Sequence, residues 1–197
     1  MRELLPLEDS VLVFLHIKKT GGISMQKLMQ EQFSGKFYGN DHSALSKKIK
    51  IKKSDINKIS NGSAIANHWS YGDFCSIKDK CNFITIARDP IDRVVSAYNF
   101  FLVHHPKGKS FLDYVRDEDN INLFSKSIVS KDFMTEIYLF DNLSASVGNS
   151  KIFKNSKKIS HLNKTRYRYT PKNTELHEFV RLNERDVVLY NLINNTC

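Results

Sequence analysis

Cysteine is scarce in this chain: Cys75, Cys81 and Cys197 are the whole set, and no two form a C-x-x-C pair. A sparse, odd-numbered set argues against a disulfide framework and against a zinc ribbon. Two free thiols at Cys75 and Cys81, in a reducing compartment, are the expectation. Long apolar runs are also lacking. The longest early one, Val11–Ile17, is far too short to span a bilayer. The opening MRELLPLEDS does not have the build of a secretory signal. A cytoplasmic protein without stable membrane insertion is therefore expected, or a Golgi-lumen domain if the sequence is a processed fragment. Internal repeats, low-complexity linkers and long single-sign charge blocks are missing as well.

What is present suits a packed domain. Hydrophobic residues make up 41% of the 197 positions and charged residues 26%, values of an ordinary folded chain with a core. The length predicts one domain over residues 1–197. The net charge of +9 favours an anionic partner of some kind: nucleic acid, anionic lipid, acidic polysaccharide or a phosphorylated cofactor. No aromatic-plus-basic motif of the RNA-binding kind accompanies it, and no nucleic-acid partner is expected.

Val11–Ile17 (VLVFLHI) is continuous, apolar and rich in β-branched residues, the pattern of a strand buried on both faces. Lys18–Gly22 interrupts it. Met25, Leu28, Met29 and Phe33 then recur at helical spacing and predict a helix from Gly22 to about Phe33. Residues 41–60 suggest one or two short helices. Ser63–Asn67 and Phe83–Ala87 predict two more strands. Asp89 suits an N-cap and Pro90 the first helical position, and the apolar spacing from Ile91 to Leu102 continues that helix. An irregular helical pattern follows over 110–142, a loop over 144–158, and closing helices over 172–182 and 184–193. Strands alternating with helices predict an α/β fold: a P-loop-like, three-layer arrangement with a central, mostly parallel sheet flanked by helices.

Two segments carry chemistry. In His16-Ile17-Lys18-Lys19-Thr20-Gly21-Gly22-Ile23-Ser24 a strand feeds a glycine turn and a helix N-terminus. Backbone N–H groups and the helix dipole there favour an anion, and glycine lets the backbone approach it. Lys19 adds a mobile cation; Thr20 and Ser24 add hydroxyls. The plain alternative is a connection with surface lysines. The nucleotide-kinase loop is not matched, because its lysine follows the glycines and Lys19 precedes them. In Arg88-Asp89-Pro90-Ile91-Asp92-Arg93-Val94-Val95-Ser96-Ala97-Tyr98, Arg88 ends a strand, where open α/β sheets bind ligands. Arg88 and Ser96 suit one phosphate between them; taken alone, Arg88 reads as a salt-bridge partner of Asp89 or Asp92.

Together these segments resemble the sulfotransferases that modify carbohydrates, the family containing heparan sulfate 2-O-sulfotransferase. HIKKTGGIS is similar to that family's 5′-phosphosulfate loop, and RDPIDRVVSAY to its 3′-phosphate site. Asn67-His68-Trp69-Ser70-Tyr71-Gly72 resembles the segment that carries its proposed catalytic base. His161-Leu162-Asn163-Lys164-Thr165 resembles a late loop closing over the cofactor, and Asp186-Val187-Val188-Leu189-Tyr190 fits its last helix. Lys18 stands where the family has proline, Asn67 where it has glycine, and the stretch from Tyr114 to His161 is short.

The resemblance implies transfer of a sulfuryl group from PAPS (3′-phosphoadenosine 5′-phosphosulfate) to a hydroxyl, with a saccharide acceptor, PAP as product and no metal. It implies that Lys19, Thr20, Gly21, Gly22, Ile23 and Ser24 wrap the 5′ end. Arg88 and Ser96 take the 3′-phosphate, and Lys164 and Thr165 close over the nucleotide. Lys19 offsets charge on the leaving oxygen, and His68 serves as base, since neutral imidazole is available near neutral pH. His16 is expected to make a structural hydrogen bond, and His104-His105 to end a helix. Three other readings stand beside this one: a P-loop kinase or NTPase, a polyanion-binding module, and a degenerate relative that binds PAPS without turnover.

Overall fold

A computed structural model of the chain describes residues 1–39, 49–153, 159 and 169–195. Among them, five strands form one parallel sheet: β1 (Val11–Leu15), β2 (Phe37–Gly39), β3 (Ser63–Asn67), β4 (Cys81–Ala87) and β5 (Glu136–Leu139). Their spatial order is β2-β3-β1-β4-β5. The apolar run that marked β1 is explained by its central place, since side chains on both of its faces are buried. Val11, Val13 and Leu15 join Ile65 and Phe83 on one face. Leu12 and Phe14 join Ala64, Ala66, Ile84 and Ile86 on the other. This is the two-residue alternation of a strand.

Helices cover both faces. Met25, Leu28 and Met29 of α1 (Gly22–Gln32) close the second face, together with Leu143 and Val147. Phe124 and Ile128 close the first face with Ile193. A third cluster joins α2 (Pro90–His104), α3 (Phe111–Val115) and α6 (Asn173–Leu182) through Val94, Tyr98, Phe111, Val115 and Phe179. The remaining helices are α4 (Leu123–Ile128), α5 (Leu143–Gly148) and α7 (Glu184–Asn194). The α/β class and the central parallel sheet are as expected. Among the described residues no helix is long and apolar enough to cross a membrane.

Several local expectations change. The first strand ends at Leu15 rather than Ile17, although His16 N–H still donates to the Asn67 carbonyl at 3.1 Å. β2 and β5 are additional strands, and β5 lies within the stretch read as irregularly helical. Their three and four residues are too short to show a period. Part of the stretch read as loop over 144–158 is α5, whose Leu143 and Val147 share a buried face. Of residues 41–60, Lys53–Lys58 forms a 3-10 helix, and 41–48 lie outside the described residues. The start of α2 is as read: Asp92 N–H donates to the Asp89 carboxylate at 2.9 Å, and Pro90 opens the helix.

The connection leaving β1 runs toward β2, whereas that leaving β4 runs toward β5. Adjacent strands whose connections depart in opposite directions leave a crevice at their carboxyl ends. The β1–β4 pairing ends at Phe14 and Ile84. Beyond it, the Thr85 hydroxyl donates to the Leu15 carbonyl at 3.0 Å. Side-chain bonding thus replaces the ladder where the two strands part.

A buried polar network fixes the far side of α2. Arg93 is 2% exposed and lies 3.8 Å from the Asp186 carboxylate, itself fully buried. Burial works against the Arg93 charge and Asp186 offsets it. The same carboxylate accepts from the N–H groups of Phe124 and Ser125 at 3.0 and 2.8 Å, capping α4. Removing it strands both amides and leaves Arg93 buried without its counter-charge. Asp186→Ala is expected to cost about 3 kcal/mol in urea unfolding, with Asp186→Asn losing less.

The two thiols differ. Cys81 is buried, bonded to the Ile77 carbonyl, and burial pushes its thiol up to about 12; Cys75 is exposed. At about pH 8, a thiol reagent should label Cys75 in the native protein and Cys81 only after unfolding. Peptide mapping of the labelled protein checks this.

Candidate active site

The turn after β1 has an unusual backbone. Lys19 has φ 68° and Gly21 φ 83°, both left-handed, with Thr20 between them. Alternation of this kind turns successive N–H groups toward one concavity, a preferred seat for anions. Gly21 is the N-cap of α1 and supplies no side-chain cap to the helix. The Thr20 hydroxyl, fully buried, donates to the Ile17 carbonyl at 2.8 Å and braces the turn from within. Ser24 lies in the first turn of α1, largely buried, and its N–H donates to the Gly21 carbonyl. Ile23, beside it, is half-buried.

Gly22 is required for a different reason. A Cβ there would stand 1.8 Å from His16 Nε2, so the imidazole occupies the space that any larger residue would need. Gln26, one turn along α1 and fully buried, donates through its amide nitrogen to His16 Nδ1 at 3.0 Å. His16 thus makes the structural hydrogen bond expected of it. Its ring also stacks on His68, with centroids 4.2 Å apart.

His68 is the first residue after β3. Its Nδ1 lies 2.6 Å from the His16 carbonyl oxygen. A carbonyl only accepts, so Nδ1 carries the proton and the neutral ring holds its lone pair on Nε2. The side chain is exposed. A histidine oriented this way is suited to take a proton at Nε2 from a bound hydroxyl.

Arg88 directly follows β4, half-buried, and its Nη1 donates to the Lys19 carbonyl at 2.9 Å. Its guanidinium lies over the Phe140 ring at 4.3 Å. Asp89, which sequence offered as a partner for Arg88, is instead the N-cap of α2. Asp92 is raised above the usual carboxylate range, by burial first and then by Asp89. The Lys19 ammonium rests over the exposed Phe100 ring at 4.5 Å. Burial, then Arg88, holds its pKa below the ordinary lysine value. Two cationic side chains thus share one crevice, with the helix N-terminus beside them.

Direct contacts join His68 to His16 and His16 to Gly22, and Arg88 bonds to the Lys19 carbonyl in the turn between His16 and Gly22. Ser96 is buried on α2, one turn before Phe100. Lys164 and Thr165 lie outside the described residues. His104 and His105 end α2, as read. Among the described residues, no group of three or more His, Cys, Asp or Glu side chains is placed to hold a metal ion. Sequence reasoning did not single out Gln26, Phe100 or Phe140. Gln26 had a signal, a polar residue beside Met25 in the apolar stripe of α1. Phe140 had none, because it follows a strand too short to read.

Comparison with known proteins places these features in context. Residues 2–126 match the profile of the sulfotransferase family; this stretch includes the His16–Ser24 and Arg88–Tyr98 segments and His68. No curated protein matches the chain at a significant level. The crystal structure of a sulfotransferase from Alicyclobacillus acidocaldarius superposes with a TM-score of 0.51 at 11% identity, covering 93% of this chain and 95% of that one. A likeness at that identity concerns the fold. Mouse sulfotransferase SULT7A1 complexed with PAP superposes with a TM-score of 0.44 at 14% identity, over 88% of this chain and 63% of that one.

Two outcomes follow from the geometry. Gly22→Ala forces the His16 ring away and should cost about 2 kcal/mol of stability, read by urea unfolding, with weakened pyrophosphate binding. The second concerns pH. An anion in the crevice favours the charged form of Lys19. Pyrophosphate affinity should therefore hold while free Lys19 is protonated and fall as pH rises through its lowered pKa. Calorimetry across alkaline pH should show that fall, and Lys19→Met should lack it.

Proposed function

The chain belongs to the sulfotransferase family, and from that premise we propose that it transfers a sulfuryl group from PAPS to a hydroxyl of an acceptor, a saccharide being the class its motifs resemble. The observation that carries this reading is the 2.9 Å bond from Arg88 to the Lys19 carbonyl. It makes the glycine turn and the Arg88 segment parts of one cationic site, as a ligand with two separated anionic ends requires.

The N–H groups of the Lys19–Ser24 turn hold the 5′-phosphosulfate, and Arg88 with Ser96 holds the 3′-phosphate. Lys164 and Thr165 are assigned to the nucleotide on motif resemblance. The acceptor oxygen bonds to sulfur as the bond from sulfur to the 5′-phosphate oxygen breaks, giving PAP and the sulfated acceptor. Negative charge grows on that leaving oxygen, and the Lys19 ammonium offsets it. The acceptor's proton passes to His68 Nε2, which carries the ring's lone pair when Nδ1 donates to the His16 carbonyl. As in phosphoryl transfer, most of the rate comes from alignment and charge placement.

The test is transfer of labelled sulfate from PAPS to a panel of hydroxyl acceptors, saccharides first. Turnover that His68→Ala lowers by about a hundredfold or more, with PAP affinity nearly unchanged, supports the reading. PAP binding with no turnover on any acceptor points to a PAPS-binding protein without activity. Absence of PAP binding by the folded wild type sinks the proposal. Arg88→Ala should weaken PAP binding by about thirtyfold.

A further inference from the structure

Arg88 is expected to grip an anion, yet a guanidinium on a flexible stem grips poorly unless something holds it still. Ordering such a side chain at the moment of binding costs affinity. The geometry points to Phe140 as the positioning residue that holds Arg88 and the glycine turn in register with one another; this inference rests on the reading of the crevice as the PAPS site.

Three observations converge on Phe140. The first is its main chain. β4 and β5 are parallel with Ala87 opposite Leu139, so Arg88 and Phe140 are the next residues on each strand. Phe140 N–H donates to the Ala87 carbonyl at 2.8 Å, extending the ladder to the base of Arg88. The second is the 4.3 Å stack of the guanidinium on the ring. A stacked guanidinium keeps its N–H edge for in-plane acceptors. One of those N–H groups goes to the Lys19 carbonyl, so the stack and this bond together constrain the position and direction of the guanidinium. The third is the approach to the turn. Phe140 Cε2 and Cδ2 lie 3.2 and 3.3 Å from where a Cβ on Gly21 would stand. One ring therefore backs the left-handed glycine of the 5′ segment and the arginine of the 3′ segment. The plain alternative is that Phe140 only packs, since it also lies against the core cluster that includes Leu143 and Val147.

A double-mutant cycle on PAP binding separates the two roles. Phe140→Leu keeps apolar bulk and removes the π face; Phe140→Tyr keeps the face. Phe140→Leu should weaken PAP binding by about fivefold, and Phe140→Tyr should stay near wild type. In an Arg88→Ala background, Phe140→Leu should cause little further loss, because its effect passes through Arg88. Wild-type affinity in Phe140→Leu, or equal losses in both backgrounds, would overturn the inference and leave Phe140 a packing residue. Failure of the PAPS reading shows separately, as wild-type protein that does not bind PAP. The same cycle run with pyrophosphate then decides the role of Phe140, and absence of coupling overturns it there too. Urea unfolding of each variant without ligand checks that the fold is retained.

Discussion

The contact between His16 and Gly22 is the constraint on which the site depends. The imidazole fills the place of a Cβ on Gly22, so strand exit and helix start lie closer than any other residue would allow. Gln26 locks the ring from the helix side. With the ring held there, the His16 backbone serves its neighbours. Its N–H meets the Asn67 carbonyl, and its own carbonyl receives His68 Nδ1. The tautomer of His68 is therefore set by main chain, which does not titrate. The proposed base is oriented by the same packing that shapes the glycine turn.

Around this contact the sheet sets the electrostatics. The carboxyl ends of β1 and β4 part beyond Phe14 and Ile84, and the cations gather in the gap. Lys19 and Arg88 disfavour one another there, and burial adds to the cost for Lys19. Lys19 also holds a left-handed backbone without being glycine, a conformation that costs energy. An anion bound beside Lys19 and Arg88 would offset the like-charge crowding between them. The fold supports these costs elsewhere, through the buried sheet and the Arg93–Asp186 network behind α2. That network gives a structural purpose to Arg93 of the Arg88–Tyr98 segment and to Asp186 of the Asp186–Tyr190 segment.

What was legible in the sequence were the features with long local patterns. β1 and β4 announce themselves by unbroken apolar runs, α1 by its stripe, and the start of α2 by Asp89 and Pro90. Lys19 and the two glycines were legible as a turn between strand and helix, and His68 and Arg88 as residues at strand ends. What holds them was not. The bond from His68 to the His16 carbonyl depends on the register of Leu15 against Asn67, a pairing of residues far apart in the chain. Phe140 follows from β5, a four-residue edge strand whose short apolar run shows no alternation and is too brief to tell a strand from a helix. The purpose of Arg93 needed Asp186, which is supplied by the last helix.

The account turns on one claim, that the glycine turn and the Arg88 segment form a single site for a ligand with two anionic ends. A crystal structure of the protein grown with PAP tests it most directly. The account predicts one PAP molecule, its 5′-phosphate on the N–H groups of the Lys19–Ser24 turn and its 3′-phosphate against the guanidinium of Arg88. PAP bound away from the β1–β4 crevice, or lying in it without touching Arg88, would contradict the claim.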